Sequence, residues 1–455
     1  MFSGKLVVSR YAVCMLVFAL VFSVRAFAVE KELSLKEAIE LALQNNHELK
    51  SLRNSLQARK QDIGIARSFL MPRINFEERF TRTNNPTSVF SFKLNQERFS
   101  QSDFEISSLN DPEPLSDFQT AFSFEQPILA VRSILGLKTA RNEYMAREEE
   151  YVRRKEKLVF NVVESYLMVN TAKGFVEVAE KSVDNAKEHL RIAKERFKTG
   201  VGLYSDVLRA STALAEAEQR VVSAKKDLNV AKRALGLLLG LYDSVDTKED
   251  KLPEIPLREL GYYVDSSMSR SDIRSLELRY ENTKNSIRIA KSGYLPEIAI
   301  RGVYQLNDHN TVFGSEGKSW SIMGILRWNL FDGGRREYEM VKAKYQAEEV
   351  EESLEGLKKV VHFAVYDAYL GVEEARKNLE LAKAALKTAE EGRRLVKKRY
   401  ENSLSPLVDL LDAQVNLDRA RANLVARRNE YVIALARLSF ESGTILKDLG
   451  IGEVF

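Results

Sequence analysis

Ala66-Arg67-Ser68-Phe69-Leu70-Met71-Pro72-Arg73-Ile74 returns 224 residues later as Ala290-Lys291-Ser292-Gly293-Tyr294-Leu295-Pro296-Glu297-Ile298. In both copies a helix-like pattern runs into a proline. A proline holds the residue before it in extended backbone and suits the first position of a strand. The same spacing links Glu48-Leu49 to Asp272-Ile273. Farther along, Arg196-Phe197 pairs with Arg399-Tyr400, and Asp206-Val207-Leu208 with Asp409-Leu410-Leu411, now at an offset of 203. The chain therefore carries one unit twice, and the first copy holds about 21 extra residues, the difference between 224 and 203. This reading places the first repeat at 29–241, a polar linker or equatorial segment at 242–268, the second repeat at 269–442 and a tail at 443–455.

Downstream of each proline the period changes to two. Ile298, Ile300, Tyr304 and Leu306 share one face, as do Trp320, Ile322, Leu326, Trp328 and Leu330, with Ser321, Arg327 and Asn329 opposite. In the first copy Ile74, Phe76 and Phe80 alternate with Arg73, Asn75, Glu77 and Arg79, and Phe118, Phe122, Phe124 and Ile128 with Gln119, Ala121, Ser123 and Glu125. Strands are expected at about 73–83, 117–129, 297–306 and 319–330. Their length suits a tilted membrane strand, about 9–11 residues. Phe76, Phe122, Phe124, Tyr304, Trp320 and Trp328 are then lipid-facing aromatics. The other reading is a soluble β-subdomain with one buried face, and Glu78 on the apolar side counts against lipid. Four strands are too few to close a barrel, because single-chain barrels begin at about eight. A membrane barrel would have to be shared among chains. The surplus lies in the long loop between the first two strands, about 84–116.

The rest reads as helix. Val207, Ala210, Leu214, Ala217, Val221 and Ala224 step by three and four, and Leu410, Ala413, Leu417 and Ala420 repeat the pattern in the second copy. A 3.5-residue period is the mark of a supercoiled seam. Large residues alternating with alanine let antiparallel backbones approach closely. Breaks at about 198–205 and 401–408 are helical hairpin tips, the second with Ser405 as a cap ahead of Pro406. From Gly333 to Asn402 few residues interrupt the pattern, and such a helix would span roughly 105 Å. The fold class is mainly α with a small β part, in two tandem repeats of β-hairpin and long antiparallel helices.

Residues 1–28 have the form of a secretory signal peptide: Lys5 and Arg10, an apolar run from Tyr11 to Phe22, then Ala26-Phe27-Ala28. Cys14, the single cysteine, lies inside that run, too deep to be a lipidated first residue. Removing the leader takes away Lys5, Arg10 and Arg25, so 66 basic residues face 65 acidic ones. That balance gives no electrostatic case for nucleic acid. No later run reaches eighteen apolar residues, which excludes membrane-spanning helices. His47, His189, His309 and His362 share no ligand spacing, and Gly317-Lys318-Ser319 lacks the first glycine of a phosphate loop. No enzyme, cofactor or metal signature is present.

The ordered set of motifs resembles the TolC family of outer-membrane efflux proteins over nearly the whole mature chain. It comprises the duplication, Tyr294-Leu295-Pro296 at a strand entry, Leu330-Phe331-Asp332-Gly333-Gly334 before the long helix, Arg196-Phe197-Lys198-Thr199-Gly200 near the tip, and Asp409-Leu410-Leu411-Asp412-Ala413 on the returning helix. The resemblance implies a homotrimer with a shared 12-stranded barrel in outer-membrane lipid and a 12-helix tunnel in the periplasm. It implies a periplasmic adaptor, an inner-membrane transporter, and export of drugs, metals or proteins. It further implies that the adaptor meets the tips, at Thr199, Gly200 and Val201 and at Asn402, Ser403 and Leu404, the second set lacking the family's glycine. Asp409 and Asp412 fall on the family's acidic aperture ring, whereas the first copy offers Asp206 and Arg209. Acids there also suit a helix start, where the dipole favours them. The alternative function is a soluble periplasmic coiled-coil adaptor or scaffold, which explains the heptads but not two aromatic-faced hairpins.

Overall fold

The structure is a computed structural model in which residues 31–248 and 255–451 are described. The expected leader lies outside them. The first copy begins with β1 (Lys31–Leu33), α1 (Leu35–Asn45) and α2 (His47–Ser68), then β2 (Arg73–Thr83). Between the hairpin strands come α3 (Pro86–Asn95), a 3-10 turn (Gln101–Phe104) and α4 (Ile106–Asn110). The copy closes with β3 (Leu115–Leu129), α5 (Val131–Lys198) and α6 (Tyr204–Leu238). After β4 (Val245–Thr247) and α7 (Leu260–Ser267), the order repeats as α8 (Ser271–Ser292), β5 (Glu297–Asp308), β6 (Gly317–Arg327), α9 (Arg335–Glu401) and α10 (Leu407–Glu441), ending with α11 (Ile445–Asp448). The returning helices α6 and α10 are each 35 residues long, and α5 and α9 are 68 and 67. A helix of that size extends about 100 Å.

The chain folds into two compact units. One comprises the described parts of 1–53, 151–271 and 358–455, the other Asn54–Glu150 and Asp272–Leu357. In the first, β1 pairs in parallel with β4, Lys31 opposite Val245. Over this ribbon packs a core of Ala38, Ile39 and Ala42, Val159, Val162 and Tyr166, Leu235, Leu438 and Ile445. Burial of each large aliphatic side chain there contributes about 1.5–3 kcal/mol. The Tyr166 hydroxyl donates to the carbonyls of Leu33 and Lys248. Lys173 and Lys232 converge on Asp246. Ser34 and Glu37 cap α1 reciprocally.

The second unit holds one antiparallel sheet in the order β2-β3-β5-β6. β3 starts two residues earlier and β5 runs two residues longer than the period-two pattern implies. β6 is shorter: it stops at Arg327, so Trp328, Asn329 and Leu330 are off the strand. The reason lies in the partner. Arg327 pairs with Glu297, the first residue after Pro296, and proline has no N–H to extend the ladder. The carbonyls of Asn329 and Leu330 instead accept from the Arg336 guanidinium, both at 3.0 Å.

Candidate functional site: a two-faced sheet and two helical tips

The register sorts side chains into two faces. Phe76 lies opposite Phe122, Phe122 opposite Tyr304, and Tyr304 opposite Trp320, one aromatic row across all four strands. Their exposures are 53%, 46%, 43% and 73%. In the next row, Ile74, Phe124 and Ile322 are exposed as well, with Gly302 between the last two half-buried. On the other face the rows are Asn75, Ser123, Val303 and Ser321, then Glu77, Ala121, Gln305 and Ser319. A contiguous apolar face this open marks a surface that something covers, and a polar reverse side is the counterpart found in barrels that hold water. β2 and β6 each keep one unpaired edge within the chain. Glu78, which shares the aromatic face with its cross-strand partner Thr120, is half-buried and accepts from the Thr120 hydroxyl and from the Phe313 N–H.

At the strand roots two sequence motifs meet. Arg336 is 7% exposed. It donates to Gly293 O at 3.0 Å, pairs with Asp332 at 3.2 Å and stands over the Tyr294 ring at 4.6 Å. The Tyr294 hydroxyl donates to Glu337, and Trp328 Nε1 donates to Tyr294 O at 3.1 Å. One arginine thus locks the strand entry at Tyr294-Leu295-Pro296 to the turn at Asp332-Gly333-Gly334.

The tips are the other exposed feature. α5 ends in a Schellman turn: Val201 N donates to Arg196 O and Gly200 N to Phe197 O, with Gly200 at φ 74°. α9 ends in the same turn: Leu404 N donates to Arg399 O and Ser403 N to Tyr400 O, with Ser403 at φ 61°. The missing glycine therefore leaves the backbone path unchanged, at the steric cost of a side chain in the left-handed region. Arg196 ties the tips together, donating to Tyr400 O at 2.6 Å and to Ser403 Oγ at 2.8 Å. Val201 and Leu404 are 65% and 68% exposed. Thr199 and Asn402 are exposed too, each bonded back to its own helix. Ser405 does not cap α10; Pro406 occupies the cap position. Asp409 and Asp412 are exposed, and neither has an ion-pair or side-chain hydrogen-bond partner among the described residues.

A family model described as "Outer membrane efflux protein" matches residues 38–241 and 263–444. The chain belongs to the outer membrane efflux protein family. Among relatives, outer membrane protein OprJ of Pseudomonas aeruginosa is 22% identical over 404 residues, covering 86% of this chain and 79% of its own. Outer membrane protein TolC of Vibrio cholerae is 21% identical over 428 residues, covering 90% and 91%. A crystal structure of a membrane protein from Pseudomonas aeruginosa superposes with TM-score 0.77 at 21% identity, over 90% of this chain and 93% of that one. This protein is an outer-membrane efflux channel. The family is one of channels rather than enzymes.

Within this efflux channel the alternating stripe on α6 is the covered side. Ala210 and Ala217 are 0% and 1% exposed, with Val207, Leu214, Val221 and Ala224 half-buried beside them. On α10 the stripe is rotated from the expected one. Leu407, Leu410, Gln414 and Leu417 are buried, whereas Ala413 and Ala420 are only half-buried. Gln414 is tolerated on the buried stripe because its amide accepts from Arg393 Nε at 3.0 Å and donates to Asp418 at 2.9 Å. Arg393 also donates to Asn185 at 3.1 Å. Beside this network His189 is 1% exposed and has no hydrogen-bond partner on either ring nitrogen. Burial, then the nearby Arg393 and Lys397 cations, press its pKa down to about 4. Sequence reasoning missed this buried polar cluster, because its residues come from three helices.

Proposed function

We propose that this channel works as a homotrimer whose three sheets join into one 12-stranded barrel, each β6 pairing with the β2 of a neighbour. The observation that carries the reading is the sheet itself: a bare aromatic face, a polar reverse face and two unpaired edges in four strands. Lipid covers the first, water fills the second, and only copies of the same chain supply edges of matching register. The long helices of three chains then form the periplasmic tunnel. The tips around Thr199–Val201 and Asn402–Leu404 receive a periplasmic adaptor, and an inner-membrane transporter supplies the substrate, a small toxic molecule or a protein. Six carboxylates, Asp409 and Asp412 of each chain, ring the periplasmic aperture. Carboxylate rings of this kind attract cations and repel anions. The test is the size and residence of the native particle. The mature protein is expected in outer-membrane fractions, and its detergent-solubilised particle should have three times the chain mass. A stable monomer soluble without detergent refutes the reading and favours the soluble scaffold.

A further inference from the structure

The surplus of the first copy is an ordered body that folds onto the polar face of the sheet. Asn85 caps α3, its Oδ1 accepting from Ser88 N at 3.1 Å with Pro86 in the first turn. Phe90 meets Phe99 edge-on at 4.8 Å, and Phe99 meets Phe104 at 5.0 Å. Lys93 pairs with Asp103 across the same turn. The body is seated by Gln96, whose Nε2 donates to Ser116 O at 2.9 Å and to Asp117 Oδ1 at 2.8 Å. Asn307 Nδ2 donates to both oxygens of Asp117 at 3.0 Å. Gln96, Asp117 and Asn307 are all 1–2% exposed.

Register fixes the side. Asp117 is two residues from Gln119, which pairs with Asn307, which pairs with Gly317, so all four lie on the face of Ser319 and Ser321. A Cβ placed on Gly317 would stand 1.9 Å from Asn95 O. The end of α3 therefore lies directly against β6 on the polar side, and only a residue without a side chain lets it. The shorter loop of the second hairpin goes the other way: Phe313 reaches Phe76 on the aromatic face, ring centroids 5.9 Å apart.

We propose that residues 84–114 form a size filter over the outer mouth of the channel, seated on the lumen wall by Gln96, Asp117, Asn307 and the bare backbone at Gly317. The proposal rests on the barrel reading, in which the polar face lines the lumen. Three chains then place three such bodies around one exit, each presenting exposed Leu94, Phe104 and Ile106. Such a filter limits what enters from outside and what size of cargo leaves, independently of the periplasmic tips.

Labelling from outside the cell tests it. Cys14 is the only cysteine and falls in the expected leader, so Ser321→Cys supplies a unique thiol. It lies on the polar face four residues, about 13 Å, along the strand from Gly317. Intact cells are treated with a small maleimide and with polyethylene-glycol maleimides of increasing mass. Two further variants open the filter. In one, 84–114 is replaced by Asn-Gly, a turn that closes the cross-strand partners Thr83 and Leu115. In the other, Gly317→Leu wedges α3 off the wall, with Gly324→Leu as control, since a Cβ there meets nothing within 4 Å. The small reagent should label every variant. The large reagents should label the native loop poorly and both opened variants severalfold faster, with the control unchanged. Equal labelling by large reagents with the native loop in place overturns the filter, whether or not the opened variants fold. Failure of the small reagent to reach Ser321→Cys anywhere overturns the barrel reading instead.

Discussion

Replacing His189 by leucine should remove an acid sensitivity that the native chain carries in its helical unit. The ring is buried, neither nitrogen has a partner at hydrogen-bond geometry, and the nearby Gln414 opposes the downward shift only weakly. The charged groups facing it are Glu188 on its own helix and Arg393 and Lys397 on α9, and the two cations outweigh the one acid. Its pKa falls from 6.5 to about 4 on folding. Between those values the unfolded chain binds a proton that the folded chain refuses, so stability is whole above pH 6.5 and declines as pH drops toward 4. At 1.36 kcal/mol per pKa unit the loss is about 3 kcal/mol per chain. Solvent screening discounts it little, because the ring is 1% exposed. His189→Leu removes the titration and two unsatisfied polar atoms, whose burial costs about 1–3 kcal/mol each. The assay is thermal unfolding of both proteins in the same detergent at steps from pH 7.5 to 4, read as the difference between them. Carboxylates common to both cancel in that difference. The leucine variant should match or exceed the native protein at neutral pH, and the gap should widen below pH 6.5. A gap that stays constant with pH means that the ring is hydrated or already charged, and the reasoning fails.

Ala217→Leu should overpack the place where α6 meets Val183 and Ala186, lowering stability by about 1–3 kcal/mol; Glu216→Leu, on the exposed side, should change the unfolding midpoint little. Gly200→Ser should lower stability by about 1 kcal/mol, the cost of a side chain in the left-handed region, whereas Ser403→Gly relieves the same strain but loses the hydrogen bond from Arg196 and should change the midpoint little; an unchanged midpoint for Gly200→Ser would show that the tips relax freely. Asp409→Asn with Asp412→Asn should abolish cation preference and block by a trivalent cation in single-channel recordings, and unchanged selectivity would place both carboxylates away from the aperture.

The strands were legible because a two-residue period with one aromatic face has few other uses, and Pro72 and Pro296 mark where it begins. Their far ends were less so. Nothing in Ser319–Leu330 announces that β6 stops at Arg327, since that depends on which residue of β5 stands opposite. The filter body was read as a loop because α3 and α4, at 10 and 5 residues, are too short for periodicity. Only Asn85-Pro86, a cap followed by a proline, signalled a helix start. His189 was seen as a bland histidine for a related reason. It sits one position outside Ala186, Leu190 and Ala193, which step along α5 by four and three and pack in the core, and its burial is decided by Arg393 and Gln414, some 200 residues away.

Duplication makes the two copies informative about each other. Their backbones are held to one path by the same carbonyls, Arg196 with Phe197 and Arg399 with Tyr400, so Gly200 and Ser403 take the same dihedral region from different residues. Side chains free of that duty are where the copies diverge. Asp206 and Asp409 both open their returning helices, where the dipole favours an acid. Three residues on, the first copy has Arg209 and the second Asp412. A dipole argument accounts for the shared first acid but not for the second, which lies beyond the first turn. In the proposed trimer the first copies bring equal numbers of acids and arginines and the second copies acids alone. The negative field at the aperture then comes entirely from one copy, and the other copy provides the neutral half of the same ring.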